Sequence, residues 1–316
     1  MINITKKLML TCRITLILVL VSGIIQPAFA INNTTTVKAI AITDSVGDVT
    51  PWEINRIGAD LVHEQNKGQG VKIAVLDTGI DLNHPDLKVA GNISFVSGTT
   101  DGDDDNGHGT MVAGIIAAQD NGKGIIGIAP EAEIYAVKVL DNQGEGQLDN
   151  VVAGIKWAIV NKMDIINISF GTLSDLSNTE KEVLQNAYDA GILVIAGAGN
   201  SGDLNTIFAP ARYDSVIAVG AIDYQDKRAE FSGTGAELEL VAPGTNIMTT
   251  ILGGGYNTAS GTSLATAVVS GAAALLIASG ITSNIVVRNI LETNVRDLGV
   301  AGRDNEYGFG CLYLGG

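Results

Sequence analysis

The run Val71-Lys72-Ile73-Ala74-Val75-Leu76, followed by Asp77-Thr78-Gly79, decides the fold class of this 316-residue chain. It is a short, apolar and largely β-branched segment that ends on an acidic residue and a turn. Similar runs alternate with helical patterns downstream, and such alternation predicts a parallel sheet covered by helices on both faces. We therefore expect a three-layer, doubly wound α/β fold. The strands are expected at 71–76, 134–139, 164–168, 192–196 and 215–219, and the helices at 108–118, 148–160, 179–189 and 262–278.

The composition is that of a globular protein, with 46% apolar residues and 39 glycines. Nineteen basic residues against 34 acidic ones give a net charge of -15. Such a charge repels phosphate backbones and anionic headgroups, which argues against a nucleic-acid-binding or membrane-surface protein. The length alone allows one or two domains.

The first thirty residues are typical of a secretion signal. Lys6, Lys7 and Arg13 supply positive charge, residues 14–25 form an apolar core, and Ala28-Phe29-Ala30 is a small-x-small cleavage site. A membrane anchor is the competing interpretation, but a span needs about twenty apolar residues and Arg13 interrupts the stretch. Removal of residues 1–30 takes away three basic and no acidic residues, so the net charge becomes -18. We expect a secreted protein that is free of the membrane after cleavage.

Residues 31–47 are short and Thr-rich, and we interpret them as a leader rather than a folded unit. Cys12 leaves with the signal and Cys311 remains alone, so no intrachain disulfide is expected although export would permit one. Cys311 lies in an apolar run and is interpreted as a small buried side chain rather than a nucleophile.

Three polar residues lie at strand ends and helix starts, where catalytic groups and ligands of open α/β sheets are found. Asp77 ends the first strand, His108 begins a small-residue helix, and Ser263 begins the last long helix. A serine hydroxyl becomes a nucleophile when a base takes its proton and a third group orients the base, and these residues can fill those roles. His63 and His84 lie in polar or turn-like segments, where a structural or solvent-facing role is the more ordinary interpretation.

The segments around these positions resemble those of the subtilisin-like serine peptidases. They are VLDTGI at 75–80, NGHGTMVAG at 106–114, AGAGNSG at 196–202 and GTSLAT at 261–266, in the family's order. The resemblance implies an endopeptidase in which Ser263 attacks the scissile carbonyl, His108 transfers the proton and Asp77 orients the imidazole. It also implies that Asn200 donates its side-chain amide to the oxyanion, whereas alone Asn200 would equally be a turn residue.

The same resemblance implies a groove for a peptide substrate. Its edges would be Ser169-Phe170-Gly171 and Gly144-Glu145-Gly146, and the peptide would add as a strand between them. Residues 196–199, with Gly197 and Gly199, would wall the primary pocket. We expect Gly197 to leave that pocket roomy and to favour a bulky apolar side chain, although these glycines could simply permit tight turns.

Calcium is the cofactor that the resemblance implies. The segment 119–125 resembles the family's calcium loop, while Asp86 and Asp48 match a carboxylate ligand and the N-terminal segment that reaches the site. The complete set of implied ligands is Asp48, Asp86, Gln119, Asn121, Lys123 and Ile125. Calcium prefers oxygen ligands of this kind, and it would stabilise a secreted protein that has no disulfide. Without the resemblance, the loop would be interpreted as a turn.

The chain also departs from the family pattern. Met111 replaces a usual histidine, and Ala267-Val268 replaces a usual Pro-His. The leader at 31–47 is far shorter than the folded pro-domain of secreted relatives. These departures bear on rate, specificity and maturation, because no triad residue is lost. We expect a monomeric peptidase domain at 48–316, released by cleavage near Gly47.

Four other functions compete with a secreted endopeptidase of broad or apolar preference. A dedicated processing peptidase would use the acidic residues Asp101, Asp103, Asp104 and Asp105 to recognise a basic sequence, although an acid-rich loop is more often solvated. An inactive binding scaffold is disfavoured by the complete triad. A lipase or esterase is disfavoured because GTSLA lacks the last glycine of the nucleophile elbow. A zinc peptidase is excluded because His63-Glu64 has no second histidine at the required spacing.

Overall fold

The computed structural model describes the backbone of Ile24–Pro27 and residues 48–315. The rest of the predicted signal, its cleavage site and the leader at 31–47 lie outside the described residues. The helices are α1 (Trp52–Ile57), α2 (Ala59–His63), α3 (His108–Ala117), α4 (Leu148–Val160), α5 (Asn178–Asp189), α6 (Thr262–Ala278) and α7 (Asn284–Thr293). The strands are β1 (Ile24–Pro27), β2 (Lys72–Asp77), β3 (Val89–Ser94), β4 (Glu133–Lys138), β5 (Gly146–Gln147), β6 (Ile165–Ile168), β7 (Phe170–Gly171), β8 (Leu193–Gly197), β9 (Ile217–Ile222), β10 (Leu240–Pro243), β11 (Ile247–Ile251), β12 (Gly255–Ala259), β13 (Val295–Arg296) and β14 (Cys311–Leu312).

Nine strands form a central sheet in the order β13-β14-β10-β9-β8-β6-β2-β4-β3. All neighbouring pairs from β14 to β3 are parallel, and β13 adds an antiparallel edge. Strand β2, at which the sequence analysis began, lies between β4 and β6. The mostly parallel sheet is therefore confirmed.

The two faces of the sheet bury different helices. Along β2, Ile73 and Val75 belong to a core cluster with α1, α3, α6 and α7, whereas Ala74 and Leu76 belong to a second cluster with α4 and α5. Alternate residues of a strand point to opposite faces, so a strand covered on both sides is apolar throughout. The predicted three-layer α/β fold is confirmed.

The predicted helices and strands are all present, with small shifts at their ends. Helices α4 and α6 have the predicted bounds, and β9 lies at 217–222 rather than 215–219. The elements that were not predicted from the sequence are the short helices α1 and α2, helix α7, the short strands β1, β5 and β7, the edge strand β3 and every strand from β10 onward. Among these, the hairpin of β11 and β12 contacts α3 directly, because the Thr249 and Thr250 hydroxyls donate to the Met111 and Thr110 carbonyls at 2.6 and 2.7 Å.

Cys311 is buried on β14, and burial raises the pKa of its thiol to about 12. A thiol that stays protonated is a poor nucleophile, in keeping with its interpretation as a small buried side chain. No helix in the part of the chain that the structure describes is both long and apolar enough to cross a bilayer.

Candidate active site

Asp77 and His108 meet at the carboxyl edge of the sheet. Asp77 is the last residue of β2, and its Oδ1 lies 2.7 Å from His108 Nδ1 and also accepts the Thr78 N–H at 2.7 Å. An ionised carboxylate can only accept, so the imidazole carries its proton on Nδ1. Both side chains are buried. This contact leaves Nε2 as the nitrogen that can act as a base.

The charges around His108 set its protonation. Burial alone would lower the pKa of the imidazole, but the Asp77 carboxylate and, at longer range, Asp104 favour the charged form. The net effect is a pKa raised above the ordinary histidine value. His108 is therefore easier to protonate than a free imidazole.

The first turn of α3 lies very close to the turn that follows β2. A Cβ at Gly109 would overlap the Gly79 carbonyl oxygen and lie 3.1 Å from the Asp77 Cβ. The Gly109 N–H donates to the Thr78 hydroxyl at 3.0 Å. Packing thus requires a glycine at position 109, since only a residue without a side chain lets α3 approach Asp77 this closely.

Ser263 lies in the first turn of α6 and is buried. Its hydroxyl donates to the Ser169 carbonyl at 2.7 Å, and the Ser169 hydroxyl donates to the Ser263 carbonyl at 3.1 Å. Ser169 directly follows β6, which is the neighbour of β2. These bonds hold the serine at the same edge of the sheet as Asp77 and His108.

Asn200 follows the next strand of the sheet, β8, and contacts the residue before Ser263. Its Oδ1 accepts both the Thr262 N–H and the Thr262 hydroxyl, each at 3.0 Å. Because the oxygen end of the amide is held in this way, the NH₂ end points away from Thr262. Thr262 is a residue that the sequence analysis did not single out.

The two predicted groove edges flank an extended segment of the chain itself. Strand β1 pairs antiparallel with β5 on one side, Ile25 opposite Gly146, and with β7 on the other, Gln26 opposite Gly171. The result is a three-stranded sheet in the order β5-β1-β7. We call the space between β5 and β7 the slot, and its geometry accepts one extended peptide strand.

The remaining predicted groove residues lie in the turn before β5 and at the end of β8. Gly144 has φ 75° in the turn before β5, where the Asp141 N–H donates to the Glu145 carbonyl at 2.8 Å and the Glu145 N–H donates to the Asp141 carboxylate at 3.0 Å. Gly199 has φ 99°, and a Cβ there would lie 2.5 Å from Phe208. A Cβ at Gly197 would lie 3.1 Å from the Thr262 hydroxyl. Backbone conformation and packing therefore explain why these positions are glycine, whether or not they also wall a pocket.

An apolar pocket opens behind β7. Its lining comes from α4, α5, β6 and β7, and includes Leu148, Val151, Ile155 and Phe170. Phe170 is a residue of the predicted groove edge, but its side chain is buried in the core between the sheet and α4 and α5, and the pocket has room for about one water molecule. This pocket was not predicted from the sequence.

Comparison with known proteins agrees with this geometry. Residues 68–310 match the family model described as the subtilase family. The chain belongs to the subtilase family. It is 48% identical to Subtilisin DY of Bacillus licheniformis over 254 residues, which are 79% of this chain and 92% of that protein. It is 46% identical to Subtilisin BL of Lederbergia lenta over 264 residues, 83% of this chain and 96% of that protein. It is 45% identical to the Minor extracellular protease Epr of Bacillus subtilis (strain 168) over 272 residues, 85% of this chain but 42% of that protein.

This subtilase is accordingly a serine endopeptidase that acts on proteins or peptides.

The residues that resemble a subtilase calcium site come together around Asp86. Its Oδ1 accepts the Asn121 side-chain amide at 3.0 Å, and its Oδ2 accepts the Ile125 N–H at 3.1 Å. Asp48 approaches from the N-terminal side, where one carboxylate oxygen accepts the Gly122 N–H at 2.9 Å and the other is buried without a hydrogen-bond partner among the residues that the structure describes. No group of three or more His, Cys, Asp or Glu side chains in the described residues is arranged to hold a metal. Any cation here would thus depend on amide and carbonyl oxygens beside these carboxylates.

The electrostatics of this loop favour a cation. Burial raises the pKa of Asp86 to about 6, hydrogen bonds from Ile125, Tyr256 and Asn121 oppose that rise, and the nearby Asp48 adds to it. Two close carboxylates, one with an unpartnered buried oxygen, fit a divalent ion with oxygen ligands. Tyr256 was not predicted from the sequence. Gln119 donates its backbone N–H to the Asp86 carbonyl, and Lys123 donates its own to the Asn121 side chain, both at 3.0 Å.

The acidic loop before α3 is largely used within the protein. Asp104 is buried and accepts hydrogen bonds from the backbone of Asn106, Gly107 and Thr110 and from the hydroxyls of Thr78 and Thr110. Asp105 pairs with Lys138 at 2.6 Å, and Asp103 accepts the Leu82 N–H at 3.1 Å. Asp104 is therefore a support of the active site and not an exposed group for a basic substrate.

Proposed function

We propose that this subtilase is a secreted endopeptidase that cleaves peptide bonds with Asp77, His108 and Ser263 through an acyl-enzyme. The observation that carries the proposal is the buried 2.7 Å contact between Asp77 and His108, at the sheet edge where α6 presents Ser263. Burying a carboxyl group and an imidazole costs free energy, so a buried pair of this kind indicates a functional role.

The contacts support a defined order of proton transfers. Asp77 holds the Nδ1 proton, so Nε2 of His108 accepts the proton of Ser263. The Ser263 hydroxyl has one proton, and in this structure it donates that proton in a hydrogen bond to the Ser169 carbonyl. The Ser263 side chain therefore turns towards the imidazole before it attacks. His108 then returns the proton to the leaving amine. Water repeats the same steps on the acyl-enzyme.

The negative charge that develops on the oxygen of the scissile carbonyl needs hydrogen-bond donors. Asn200 has its amide NH₂ turned away from Thr262, and the first N–H groups of α6, including that of Ser263, have no partner within the helix. Donors fixed before the reaction stabilise the oxyanion without reorganising. Asn200 and the Ser263 N–H are therefore the proposed oxyanion hole.

Substrate would enter the slot as an added strand. That use of the slot is supported by β1, whose backbone pairs with Gly146 on one side and with Phe170 and Gly171 on the other. Main-chain bonds of this kind give affinity that does not depend on sequence, and side-chain pockets give selectivity. A preference for bulky apolar residues stays the prediction made from Gly197, because the apolar pocket beside Phe170 holds only about 20 Å³ and cannot take such a side chain. Burial takes Asp104 out of the alternative of a processing peptidase for basic sequences, whereas Asp101, Asp103 and Asp105 are exposed. A peptide-library cleavage profile would distinguish the two functions.

We further propose that calcium binds at the loop 119–125 with Asp48 and Asp86. The buried carboxylate oxygen of Asp48 and the raised pKa of Asp86 support it. Bound there, calcium would stabilise the fold, and the chemistry of the triad would not pass through it. Secretion by the signal at 1–30, cleavage near Gly47 and a monomeric mature enzyme belong to the same proposal, and N-terminal sequencing and gel filtration of the secreted protein test them.

The decisive experiment is covalent labelling with a serine-directed fluorophosphonate. We expect one labelled residue, Ser263, and no labelling of Ser263→Ala. Ser279→Ala is a matched control, because Ser279 is an exposed serine at the other end of the same helix. Labelling that persists in Ser263→Ala, or an unlabelled wild-type enzyme that hydrolyses peptides, would overturn the assignment of the nucleophile.

A further inference from the structure

Lys138 lies beside the catalytic carboxylate but has no part in the mechanism above. It is the last residue of β4 and pairs with Asp77, the last residue of β2. Paired residues of parallel strands place their side chains on the same face of the sheet, so Lys138 and Asp77 are neighbours. Its side chain is only 1% exposed. Among the residues that the structure describes, Lys138 is the one buried lysine or arginine.

The ammonium of Lys138 joins two segments that carry the triad. Nζ donates to the Thr78 carbonyl and, at 2.6 Å, to Oδ1 of Asp105. Thr78 directly follows Asp77 and donates its own N–H to the Asp77 carboxylate. Asp105 belongs to the loop that leads into His108. Lys138 therefore connects the turn after Asp77 to the loop before His108.

An ordinary ion pair does not account for a lysine in this position. The Asp105 side chain is 47% exposed, and pairs with an exposed partner contribute little to stability. A buried ammonium is costly to desolvate, and the contact that remains buried is the one with the Thr78 carbonyl. The surrounding charges offer a better reason, because Asp77, Asp104 and Asp105 put three carboxylates around this turn.

We propose that Lys138 is a positioning residue of the active site, which holds the Asp77–Thr78 turn against the loop of His108 by its charge and its contact with Thr78. The proposal rests on the function proposed for the triad. Lys138 touches neither β5 nor β7 through any of its hydrogen bonds, so its loss affects the geometry of the reacting groups more than the binding of substrate.

Kinetics of Lys138→Met, Lys138→Gln and Lys138→Arg, normalised to fluorophosphonate-titrated active sites, test this role. A displacement of about 1 Å at a catalytic group can cost about 100-fold, so we expect kcat to fall about 10- to 100-fold in the two neutral variants, with KM within about 2-fold. Lys138→Arg, which keeps the charge, should recover most of kcat. Lys72→Met is the matched control, because Lys72 pairs with Glu133 at the opposite end of the same two strands and should leave kcat unchanged.

A second measurement does not need turnover. The Nδ1 proton between His108 and Asp77 should give a low-field proton resonance, which we expect to shift or broaden in Lys138→Gln and to return in Lys138→Arg. If Lys138→Met does not fold, Lys138→Gln decides, since it keeps a donor for the Thr78 carbonyl. Wild-type kcat and an unchanged resonance in a neutral variant would overturn the role of Lys138. Failure of the wild-type enzyme to label at Ser263 would instead overturn the proposed function, and the resonance would still test Lys138.

Discussion

The Asp77 carboxylate and the His108 imidazole form a buried contact, in which Oδ1 lies 2.7 Å from Nδ1. Asp77 comes from the end of β2 and His108 from the start of α3, and the close approach of these two elements at Gly109 makes the contact possible. Two properties follow from it, the orientation of the imidazole and the raised pKa of His108.

The pH dependence of the reaction should follow from that raised pKa. Only the neutral imidazole can accept the Ser263 proton, so we expect kcat/KM to rise with pH through a midpoint above the ordinary histidine value of about 6.5. The contribution of His108 to stability changes with pH in the opposite direction. A raised folded-state pKa means that His108 contributes stability below its unfolded pKa, and this contribution is lost as pH rises through the folded pKa.

Kinetics and denaturant unfolding between pH 5 and pH 9 check both trends. Asp77→Asn should lower the midpoint of kcat/KM and reduce kcat by about 10⁴-fold, because the wrong tautomer is then held. A midpoint at or below the ordinary histidine value in the wild-type enzyme would contradict the role given to Asp77.

Asn200 and Thr262 should act as a unit. Asn200→Ala should lower kcat by about 10²- to 10³-fold with little change in KM, a range established on a subtilisin and not a consequence of this geometry. Thr262→Val removes the hydroxyl that holds the Asn200 oxygen and should lower kcat less, while Thr262→Ser keeps the hydroxyl and should stay near the wild-type value. Full activity in Thr262→Val would show that the Thr262 N–H alone orients Asn200.

The predictable parts of the fold are the elements that are deeply buried, because burial requires their residues to be apolar. Strands β2, β4, β6 and β8 are covered on both faces and therefore appear as apolar runs. Helix α6 is buried along most of its length, and Gly261 and Gly280 mark its ends. The hairpin strands β11 and β12 were missed because they are mixed in polarity. The two-residue strands β13 and β14 were missed because they are short and are stabilised by distant partners, such as Val241, which pairs with Cys311.

Motifs indicated which residues form the site but not how they are supported. Asp104 stands in an acidic run that resembles a solvated loop, and its burial follows from five hydrogen-bond donors that only the folded loop brings together. Thr262 and Tyr256 likewise acquire their contacts through residues far away in sequence. Such partners depend on tertiary approach and side-chain rotamers, which periodicity and spacing do not specify.

Segment Ile24–Pro27 should compete with substrate wherever it is retained. It occupies the slot between β5 and β7, and a tethered occupant has an effective concentration in the millimolar range. We expect the full chain to show an apparent KM at least about 10-fold above that of a chain that begins at Gly47. Ile25→Pro in the full chain removes a backbone donor and should lower the apparent KM, whereas Ile25→Val should not. Equal KM values for the full and shortened chains would contradict this competition.

Calcium should stabilise the folded enzyme. Free calcium at about 100 times its Kd would add about 2.7 kcal/mol to the free energy of unfolding, so a chelator should lower the Tm. Asp48→Asn should weaken this response, because it removes the charge of a carboxylate whose Oδ1 is buried with no hydrogen-bond partner among the described residues. Asp60→Asn, at an exposed position of α2, is the control and should respond as the wild-type enzyme does. A Tm that does not change with chelator would rule out a stabilising calcium ion.

Gly109 should be the glycine least tolerant of a side chain near the triad. A Cβ there would overlap the Gly79 carbonyl, and the collision can be relieved only if α3 moves away from β2. Movement of that kind lengthens the contact between Asp77 and His108. We therefore expect Gly109→Ala to lose about 100-fold in kcat and about 3 kcal/mol of stability. Gly70→Ala is the comparison, because Gly70 has φ 75° with nothing near its Cβ position, so it bears only the backbone strain of about 1 kcal/mol and should keep full kcat. Equal effects of the two substitutions on kcat, measured on titrated active sites, would mean that the approach of α3 does not set the geometry of the triad.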